Sequence, residues 1–362
     1  MNLLILLISF TLPGITYQGD RIFYYDAHSL ALGGLAIISE HGENPATTGL
    51  VNKILIFSSA AFISNNEKRG LRVYDSYGNN MGISTISNNS STNFGLGASS
   101  LVIPIKYFRM GFRYLPLWDF SYAYRFEYRD DFYQITQIVE DIYSGSVYSL
   151  SPILGLTYKS FSLGFEERFI FGKKSRDYRM ITPNADDSLI QSEAKFDGTT
   201  TRLGIIFKPN IHFRFAYAFN PDYVLKSSET GDTLRYSECH SFAMFYQPPG
   251  RIPTKFLCGV DYENWTEAIF VYRFGVEHTI LARYALRYGF CIFPDYSEGS
   301  IWTTALTFGL GINNEDYYLD FGFAYGKRDY SSLDFAAIEL DQGNLEFNES
   351  TSHFLVSGGF TF

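Results

Sequence analysis

The sequence predicts an all-β fold, a transmembrane antiparallel up-and-down β-barrel of about 14 strands. Three observations predict it: apolar and polar residues alternate with a two-residue period, the chain ends on phenylalanine, and its composition is aromatic but not hydrophobic on average. Among 362 residues are 34 Phe and 28 Tyr, yet the mean hydropathy is −0.06. A barrel in lipid carries apolar residues outside and polar residues inside, so the two contributions cancel.

The C-terminal residues 353–362 show the alternation most clearly. One face carries Phe354, Val356, Phe360 and Phe362. Successive side chains of a strand point to opposite faces, so this pattern predicts a strand with one apolar face. A last strand that ends on an aromatic residue is typical of bacterial outer-membrane barrels. We therefore expect Phe360 and Phe362 to form the signal that the barrel assembly machinery reads.

The same alternation predicts a series of further strands along the chain. Each is about ten residues long, which is the length that a tilted strand needs to cross the outer membrane. Fifteen candidates lie at residues 53–63, 93–103, 105–115, 119–129, 146–159, 160–172, 196–208, 210–219, 233–247, 254–264, 267–279, 281–293, 300–313, 316–328 and 350–362.

Fifteen strands cannot form a bacterial single-chain barrel, because these barrels have an even number of strands. We favour fourteen, because residues 93–115 contain Pro104 and can be one pair wrongly divided or one long bent strand. The alternative is sixteen strands, with residues 70–77 as the additional one.

The segments between the candidate strands alternate in length. Short breaks fall at residues 159–160, 208–210 and 313–316, and long polar segments fall at residues 130–144, 173–195, 220–232 and 329–349. Transmembrane barrels have short periplasmic turns and long extracellular loops. The pattern therefore predicts the bacterial outer membrane as the location of this chain.

The N-terminus predicts export. Residues 3–12 are apolar and are followed by Pro13 and Gly14, which is typical of a signal peptide that comprises residues 1–16. No later apolar run approaches the roughly 18–20 residues of a membrane-spanning helix. The remaining chain divides into a segment at residues 17–52 and the barrel at residues 53–362.

The segment before the barrel contains a short motif in a stretch rich in small residues. The motif consists of Asn44, Pro45, Ala46, Gly49 and Leu50. It resembles the N-terminal segment of the FadL/TodX family of outer-membrane transporters. Residues 259–265, 274–278 and 285–289 resemble the second half of the same family. Read without the family, the motif forms only a turn.

The resemblance implies a fourteen-stranded barrel with a plug, or hatch, made by residues 17–52. It also implies passive diffusion of hydrophobic small molecules, either long-chain fatty acids or hydrocarbons. The related PorV-type barrels share the N-terminal pattern. The alternative function is therefore an outer-membrane accessory or shuttle barrel for protein secretion.

Charged residues take the polar, lumenal side of the alternation. They are Arg109, Arg113, Arg125, Glu127, Glu166, Arg168, Arg214, Asp261, Glu263, Arg273, Glu277, Arg283, Arg287 and Asp320. One interpretation is that they pair across strands and brace the plug. The other is that one or two arginines bind a ligand carboxylate with two parallel hydrogen bonds. The candidates for that role are Arg125, Arg168, Arg214, Arg283 and Arg287.

Other compositional features narrow the expected partners. The net charge of −9 argues against nucleic acid. The six histidines form no nucleophile pattern, so we expect no enzyme. Three cysteines without metal-ligand spacing predict no metal, and we expect no cofactor. We expect a monomer whose partners are a hydrophobic small molecule and outer-membrane lipid. Trp118, Trp265 and Trp302 are expected in the interfacial aromatic belt.

Overall fold

The computed structural model describes residues 20–22, 24–39, 42–130, 132–183, 187–250, 253–265, 268–294, 302–314, 316–332 and 345–362. The expected signal peptide at residues 1–16 lies outside these ranges. Within the described ranges, no helix has the length and the hydropathy that crossing a membrane requires.

Strands make up most of the described chain. Helix α1 is Ala27–Ala31, and a 3-10 helix is Pro45–Leu50. The strands are β1 Asp20–Arg21, β2 Leu55–Tyr74, β3 Asn80–Ile105, β4 Phe108–Asp119, β5 Tyr122–Arg129, β6 Ile135–Tyr158, β7 Phe161–Ile181, β8 Ser188–Phe207, β9 Phe213–Asn220, β10 Tyr223–Lys226, β11 Thr233–Tyr236, β12 Glu238–Tyr246, β13 Thr254–Asn264, β14 Ala268–Ile280, β15 Tyr284–Pro294, β16 Trp302–Asn313, β17 Tyr317–Ser332 and β18 Leu345–Thr361.

Fourteen antiparallel strands close into one barrel. The ring runs β2, β3, β4, β6, β7, β8, β9, β12, β13, β14, β15, β16, β17 and β18, and β18 pairs with β2. At this seam the backbones of Phe362 and Ile54 exchange hydrogen bonds of 3.0 and 3.1 Å. Closure gives each of these strands a partner on both sides, which a membrane-spanning sheet requires. The predicted fold class is confirmed.

The wall follows the two-residue alternation. In β16, accessible residues alternate with buried ones, and Leu306, Phe308 and Leu310 lie on the outer face. Thr303, Ala305 and Thr307 lie on the inner face. Outward aromatic and aliphatic side chains face the lipid, and small or polar side chains face the lumen. This arrangement explains the mean hydropathy near zero.

The count of fourteen is confirmed, but the two candidate strands that share one place in the barrel are not the expected ones. Residues 93–103 and 105–115 belong to separate strands, β3 and β4, which are joined by a tight turn in which Lys106 has a φ of 54°. Instead, β4 and β5 both pair with β6, one after the other along its length, and so occupy one place in the barrel. Residues 70–74 are the end of β2, so they form no sixteenth strand.

A β-bulge near the end of β4 reverses which side chains face the lumen in the residues that follow. The register with β6 shifts by one residue between Pro116 and Trp118. Because the side-chain period is two, one extra residue moves every later side chain to the other face. Tyr122 and Tyr124 are therefore buried on the inner side, while Arg125 lies on the outer side with its side chain 58% exposed. The prediction that Arg125 faces the lumen is wrong.

Two of the three tryptophans lie inside the barrel. Trp118 is fully buried and Trp265 is nearly so, and both pack in one apolar cluster with Tyr236 of the β10–β11 hairpin. Only Trp302 has an exposed ring in the outer wall. The expectation of an interfacial belt is therefore wrong for Trp118, because the bulge turns it inward. It is also wrong for Trp265, whose indole N–H donates to Glu263 over 2.8 Å.

Candidate functional site

The N-terminal segment, meaning the described residues among 20–50, lies inside the barrel. Asp26 caps helix α1, and its carboxylate accepts a hydrogen bond from the Ser29 N–H at 2.8 Å. The chain turns back at Gly33 and Gly34, whose φ values of 72° and 79° suit glycine. Leu30 and the other apolar side chains of α1 are buried against the wall.

The motif residues form the second short helix of this segment. The Asn44 side-chain oxygen accepts from the Ala46 N–H at 2.9 Å and so caps the 3-10 helix. Its amide group donates to the carbonyl oxygens of Ile37 and Tyr217 at 3.1 and 3.2 Å. Pro45 occupies the first turn, where no N–H is needed. Asn44 therefore ties the helix both to its own segment and to β9.

Glycines of three neighbouring strands form the wall beneath this helix. Gly155, Gly164 and Gly204 lie side by side in β6, β7 and β8. A Cβ atom on Gly164 would lie 2.1 Å from the Ala46 nitrogen, and one on Gly155 would lie 2.9 Å from the Gly49 nitrogen. Only glycine permits so close an approach of two backbones. We call these three residues the first glycine row.

Four more glycines form a second row beneath α1. Gly275, Gly289, Gly309 and Gly322 lie in β14, β15, β16 and β17. Cβ atoms at these positions would lie 2.4–2.8 Å from atoms of the N-terminal segment or the wall. Sequence reasoning missed both rows, although glycines on the inward side of seven strands were the signal that could have shown them.

Polar wall residues hold the motif at the first glycine row. The Ser162 hydroxyl donates to the carbonyl oxygen of Ala46 at 2.8 Å, and the Thr157 hydroxyl donates to that of Gly49 at 2.6 Å. Leu50 packs against the apolar cluster that includes Leu32 and Ile206. The structure thus brings all five motif residues together against the inner wall.

Glu43 anchors the same part of the segment electrostatically. Its carboxylate pairs with Arg202 and, at 3.4 Å, with Arg168. Arg113 donates to the Glu43 carbonyl at 2.8 Å and pairs with Glu166 at 3.2 Å. Burial by itself would raise the pKa of the Glu43 carboxyl, but the neighbouring arginines, Arg202 foremost, lower it to about 2. Glu43 is therefore charged at neutral pH.

A second charged cluster fixes α1. Glu277 contacts His28 of the helix at 3.2 Å and Arg287 at 2.6 Å, and it also pairs with Lys255. Arg287 in turn pairs with Asp320 at 2.5 Å. Charges inside a protein are stable where they are paired and hydrogen-bonded. Here the pairs join four wall strands, β13, β14, β15 and β17, to the N-terminal segment.

The five arginines proposed as carboxylate ligands do not form one group. Arg168 and Arg287 are buried and already bonded to carboxylates of the protein. Arg214 donates to the Ile38 carbonyl at 3.1 Å. Arg283 is exposed in the tight turn between β14 and β15, so its predicted lumenal position is wrong, as it is for Arg125. Turn residues fall outside the alternation that predicted the lumenal side.

The wall is interrupted between β3 and β4. Their ladder covers only Ser99–Ile105 and Phe108–Tyr114. Beyond it β4 turns inward, and residues 115–118 are all buried. The N-terminal segment occupies the interruption: the Ile22 N–H donates to Leu117 O at 3.1 Å, and Ala98 donates to Tyr25 O at 2.9 Å.

A mostly apolar cavity of about 100 Å³ adjoins this interruption. Its apolar lining includes Ile22, Tyr24, Ile63, Phe293 and Ala324. Its lysine and arginine side chains are each bonded to a carboxylate: Arg21 to Glu263 at 2.9 Å, Lys327 to Asp329 at 3.1 Å and Arg328 to Glu349 at 2.5 Å. We call this space the upper cavity.

Below the N-terminal segment lies a more polar cavity of about 300 Å³. Its lining includes His28, Lys255, Glu277, Asn313 and Tyr317, at the end of the barrel that has short turns. At the opposite end, Arg69 stacks between Tyr124 at 4.2 Å and Phe347 at 5.1 Å. The described part of the segment lines both cavities and lies between them.

The fold is similar to that of solved outer-membrane channels. A FadL homologue from Pseudomonas aeruginosa matches with a TM-score of 0.67 and 12% identity, over 95% of this chain and 100% of that chain. The toluene transporter TodX from P. putida matches with a TM-score of 0.65 and 12% identity, over 94% and 99%. CymD, a monoaromatic hydrocarbon channel, matches with a TM-score of 0.56 and 10% identity, over 94% and 98%.

The comparisons establish the fold. No family model matches the sequence, and no curated protein matches it. The geometry defines a closed fourteen-stranded β-barrel with an N-terminal segment inside it, and this barrel has the FadL/TodX-type fold. The fourteen-stranded barrel that the sequence resemblance implied is confirmed.

A methyl group added at the first glycine row should displace the 3-10 helix. We expect Gly164→Ala to lower the free energy of unfolding by about 1–3 kcal/mol, the usual effect of overpacking. The matched control is Gly95→Ala in β3, where an added Cβ meets no atom within 4 Å. Urea unfolding in detergent measures both. Equal unfolding free energies for the two variants would contradict the close contact.

Neutralising Glu43 should weaken attachment of the segment. We expect Glu43→Gln to lower stability by about 3–5 kcal/mol, because buried arginines lose their partner. The pKa of Glu43 lies below its ordinary 4.5, so its contribution is present above that pH and disappears as the pH falls toward about 2. Urea titrations across this range should show the loss in the wild type and a smaller loss in Glu43→Gln. The same pH profile in both proteins would refute the assignment.

Proposed function

We propose that this chain is a bacterial outer-membrane channel for the passive uptake of uncharged hydrophobic small molecules. The observation that carries the proposal is the junction of the upper cavity with the interrupted wall. Ile22 and Tyr24 line the cavity, while Ile22 and Tyr25 make the backbone bonds that fill the interruption. Ile22 therefore contacts both the upper cavity, where the ligand would bind, and the interruption through which it would reach the membrane.

Residues 17–52 act as the plug in this proposal. A barrel of fourteen strands encloses a lumen too wide for wall side chains alone to fill. The glycine rows and the Glu43 and Glu277 clusters hold the described part of the segment across that lumen. Barrel and plug together would keep water and ions out while a hydrophobic molecule passes.

The upper cavity favours an uncharged ligand. Its mostly apolar lining suits a hydrocarbon, and its lysine and arginine side chains already have carboxylate partners. A fatty-acid carboxylate bound at Arg21 or Arg328 would displace Glu263 or Glu349 and leave that carboxylate buried without its cation, which is unfavourable. The names of TodX and CymD, a toluene transporter and a hydrocarbon channel, agree with this choice over long-chain fatty acids.

The proposed exit lies in the wall between β3 and β4. A small movement of residues 20–25 would break the bonds to Leu117 and Ala98 and open the upper cavity toward lipid. The opening would also break the side-chain hydrogen bonds of Ser59 to Tyr25 O at 2.7 Å and of Asn93 to Asp119 at 2.7 Å, whereas the ladder between β3 and β4 already ends at Ser99 and Tyr114. A hydrophobic molecule would then enter the membrane without crossing the polar lower cavity.

A reversible crosslink across the interruption should control uptake. The double variant Ile22→Cys, Leu117→Cys places two thiols on residues whose backbones share a hydrogen bond. The three native cysteines, Cys239, Cys258 and Cys291, are replaced by alanine in this variant. We expect toluene uptake by cells producing this variant to fall to background when oxidised and to recover on reduction. Either single-cysteine variant is the control and should be insensitive to oxidant. Full uptake by the crosslinked protein would rule out this exit.

The ligand class can be tested separately from the exit. In cells that lack other hydrophobic-compound channels, we expect the wild-type protein to accelerate uptake of labelled toluene and to leave uptake of labelled oleate near background. Faster uptake of oleate alone would transfer the proposal to fatty acids. No acceleration of either, with a secreted protein retained on the purified barrel, would instead favour a PorV-like accessory role.

A further inference from the structure

Three polar side chains line the upper cavity next to one another. Asn65 lies on β2, and Thr351 and His353 lie on β18. Thr351 is the direct partner of Asn65 in the pairing of β2 with β18 that closes the barrel, and His353 is the partner of Ile63. Asn65 and His353 are therefore diagonal neighbours, with Cα atoms about 7–8 Å apart. We call Asn65, Thr351 and His353 the seam cluster.

The seam cluster has no hydrogen-bond partner within the described part of the chain. The side-chain oxygen of Asn65 is buried there without a donor. Neither the Thr351 hydroxyl nor the His353 ring is hydrogen-bonded to a described residue. His353 instead contacts the Tyr24 ring edge to face, with the ring centroids 5.0 Å apart. The hydrogen-bonding groups of the cluster are therefore available to a molecule in the cavity.

The next inward positions of the same two strands are different, because their polar groups are bonded within the protein. Two residues along β2, Glu67 accepts from Arg69 at 2.6 Å. Two residues along β18, Glu349 accepts from Arg328 at 2.5 Å and from the Tyr330 hydroxyl at 2.6 Å. Most buried polar groups in proteins are bonded in this way, and leaving one without a partner is costly. The seam cluster therefore calls for a partner that enters the cavity.

The seam cluster is uncharged, and this determines the group that it can recognise. Among the described residues, no carboxylate forms an ion pair with His353. A charged imidazole without a partner is unfavourable in a mostly apolar cavity, so the ring is neutral. A neutral imidazole has one donor and one acceptor nitrogen, and the amide of Asn65 and the hydroxyl of Thr351 also provide both functions. The complementary group is uncharged and both donates and accepts, as a hydroxyl does with one oxygen atom.

The size of the cavity limits the rest of the ligand. Its volume of about 100 Å³ is of the same order as the roughly 150 Å³ of an apolar cavity that holds benzene. Ile22, Phe293 and Ala305 are among the apolar residues of its lining. The space therefore suits one ring better than a long alkyl chain.

With the upper cavity as the ligand site of the proposed function, on which this step rests, we propose that it prefers a monocyclic phenol to a hydrocarbon ring of the same size. The hydroxyl of the phenol bonds to the seam cluster, and its ring packs against the apolar lining. A hydrocarbon such as toluene still enters the cavity, but it leaves the cluster without hydrogen bonds and binds less tightly.

Calorimetric titration of the purified wild-type protein in detergent, with a detergent blank, tests this preference. The two probes are toluene and p-cresol, which have the same ring without and with a hydroxyl. We expect p-cresol to bind at least about fivefold more tightly, the contribution of one neutral hydrogen bond. Equal binding, or tighter binding of toluene, would overturn the preference but leave the proposed channel intact. Binding of neither compound would overturn the proposed function as well.

Variants of the seam cluster locate the preference. His353→Phe keeps a ring beside Tyr24 but removes both nitrogens, so we expect about fivefold weaker binding of p-cresol and unchanged binding of toluene. Thr351→Val should also weaken p-cresol selectively. Its matched control is Thr200→Val, because Thr200 is buried on the inner face of β8 outside the upper cavity. Equal losses of both compounds in His353→Phe would contradict recognition by the imidazole, and the wild-type comparison holds even if this variant assembles poorly.

Discussion

The close approach of the N-terminal backbone to the inner wall is the constraint on which this structure depends. A side chain at Gly164 would occupy the place of the Ala46 backbone, and one at Gly322 would meet the carbonyl of Ala27. The inner wall therefore carries no side chains along the two glycine rows, and the segment packs against both rows. Because the backbones meet directly, short polar side chains such as Ser162 can bond to the segment without a gap.

The charged lumen follows from the same constraint. A segment that lies against the wall places Glu43 and His28 among strand residues, where they meet buried arginines and carboxylates. These charges pair with one another within the protein, and the surface of the upper cavity is mostly apolar. The lumen thus combines a polar attachment for the segment with a mostly apolar cavity.

The sequence predicted the barrel because alternation, strand length and turn spacing are local properties. It did not predict the inward turn of β4, because one bulge at Pro116 reverses all later side chains, and Arg125 was placed on the wrong face. A proline within a strand was the available signal. The partners of Arg168 could not be predicted either, since its contact with Glu43 joins residues 125 positions apart. The role of the motif at Asn44 remains a proposal, although its bonds to the wall support it.

The measurement that tests the central claim most directly is ion conductance in planar bilayers, with the wild-type protein compared with a variant that lacks residues 24–50. The claim is that this segment fills the lumen of a barrel that would otherwise be open. It predicts a nearly non-conducting wild type and large, steady channels for the deletion variant, provided that both show the heat-modifiable mobility of a folded barrel. Equal conductance of the two folded proteins would contradict it.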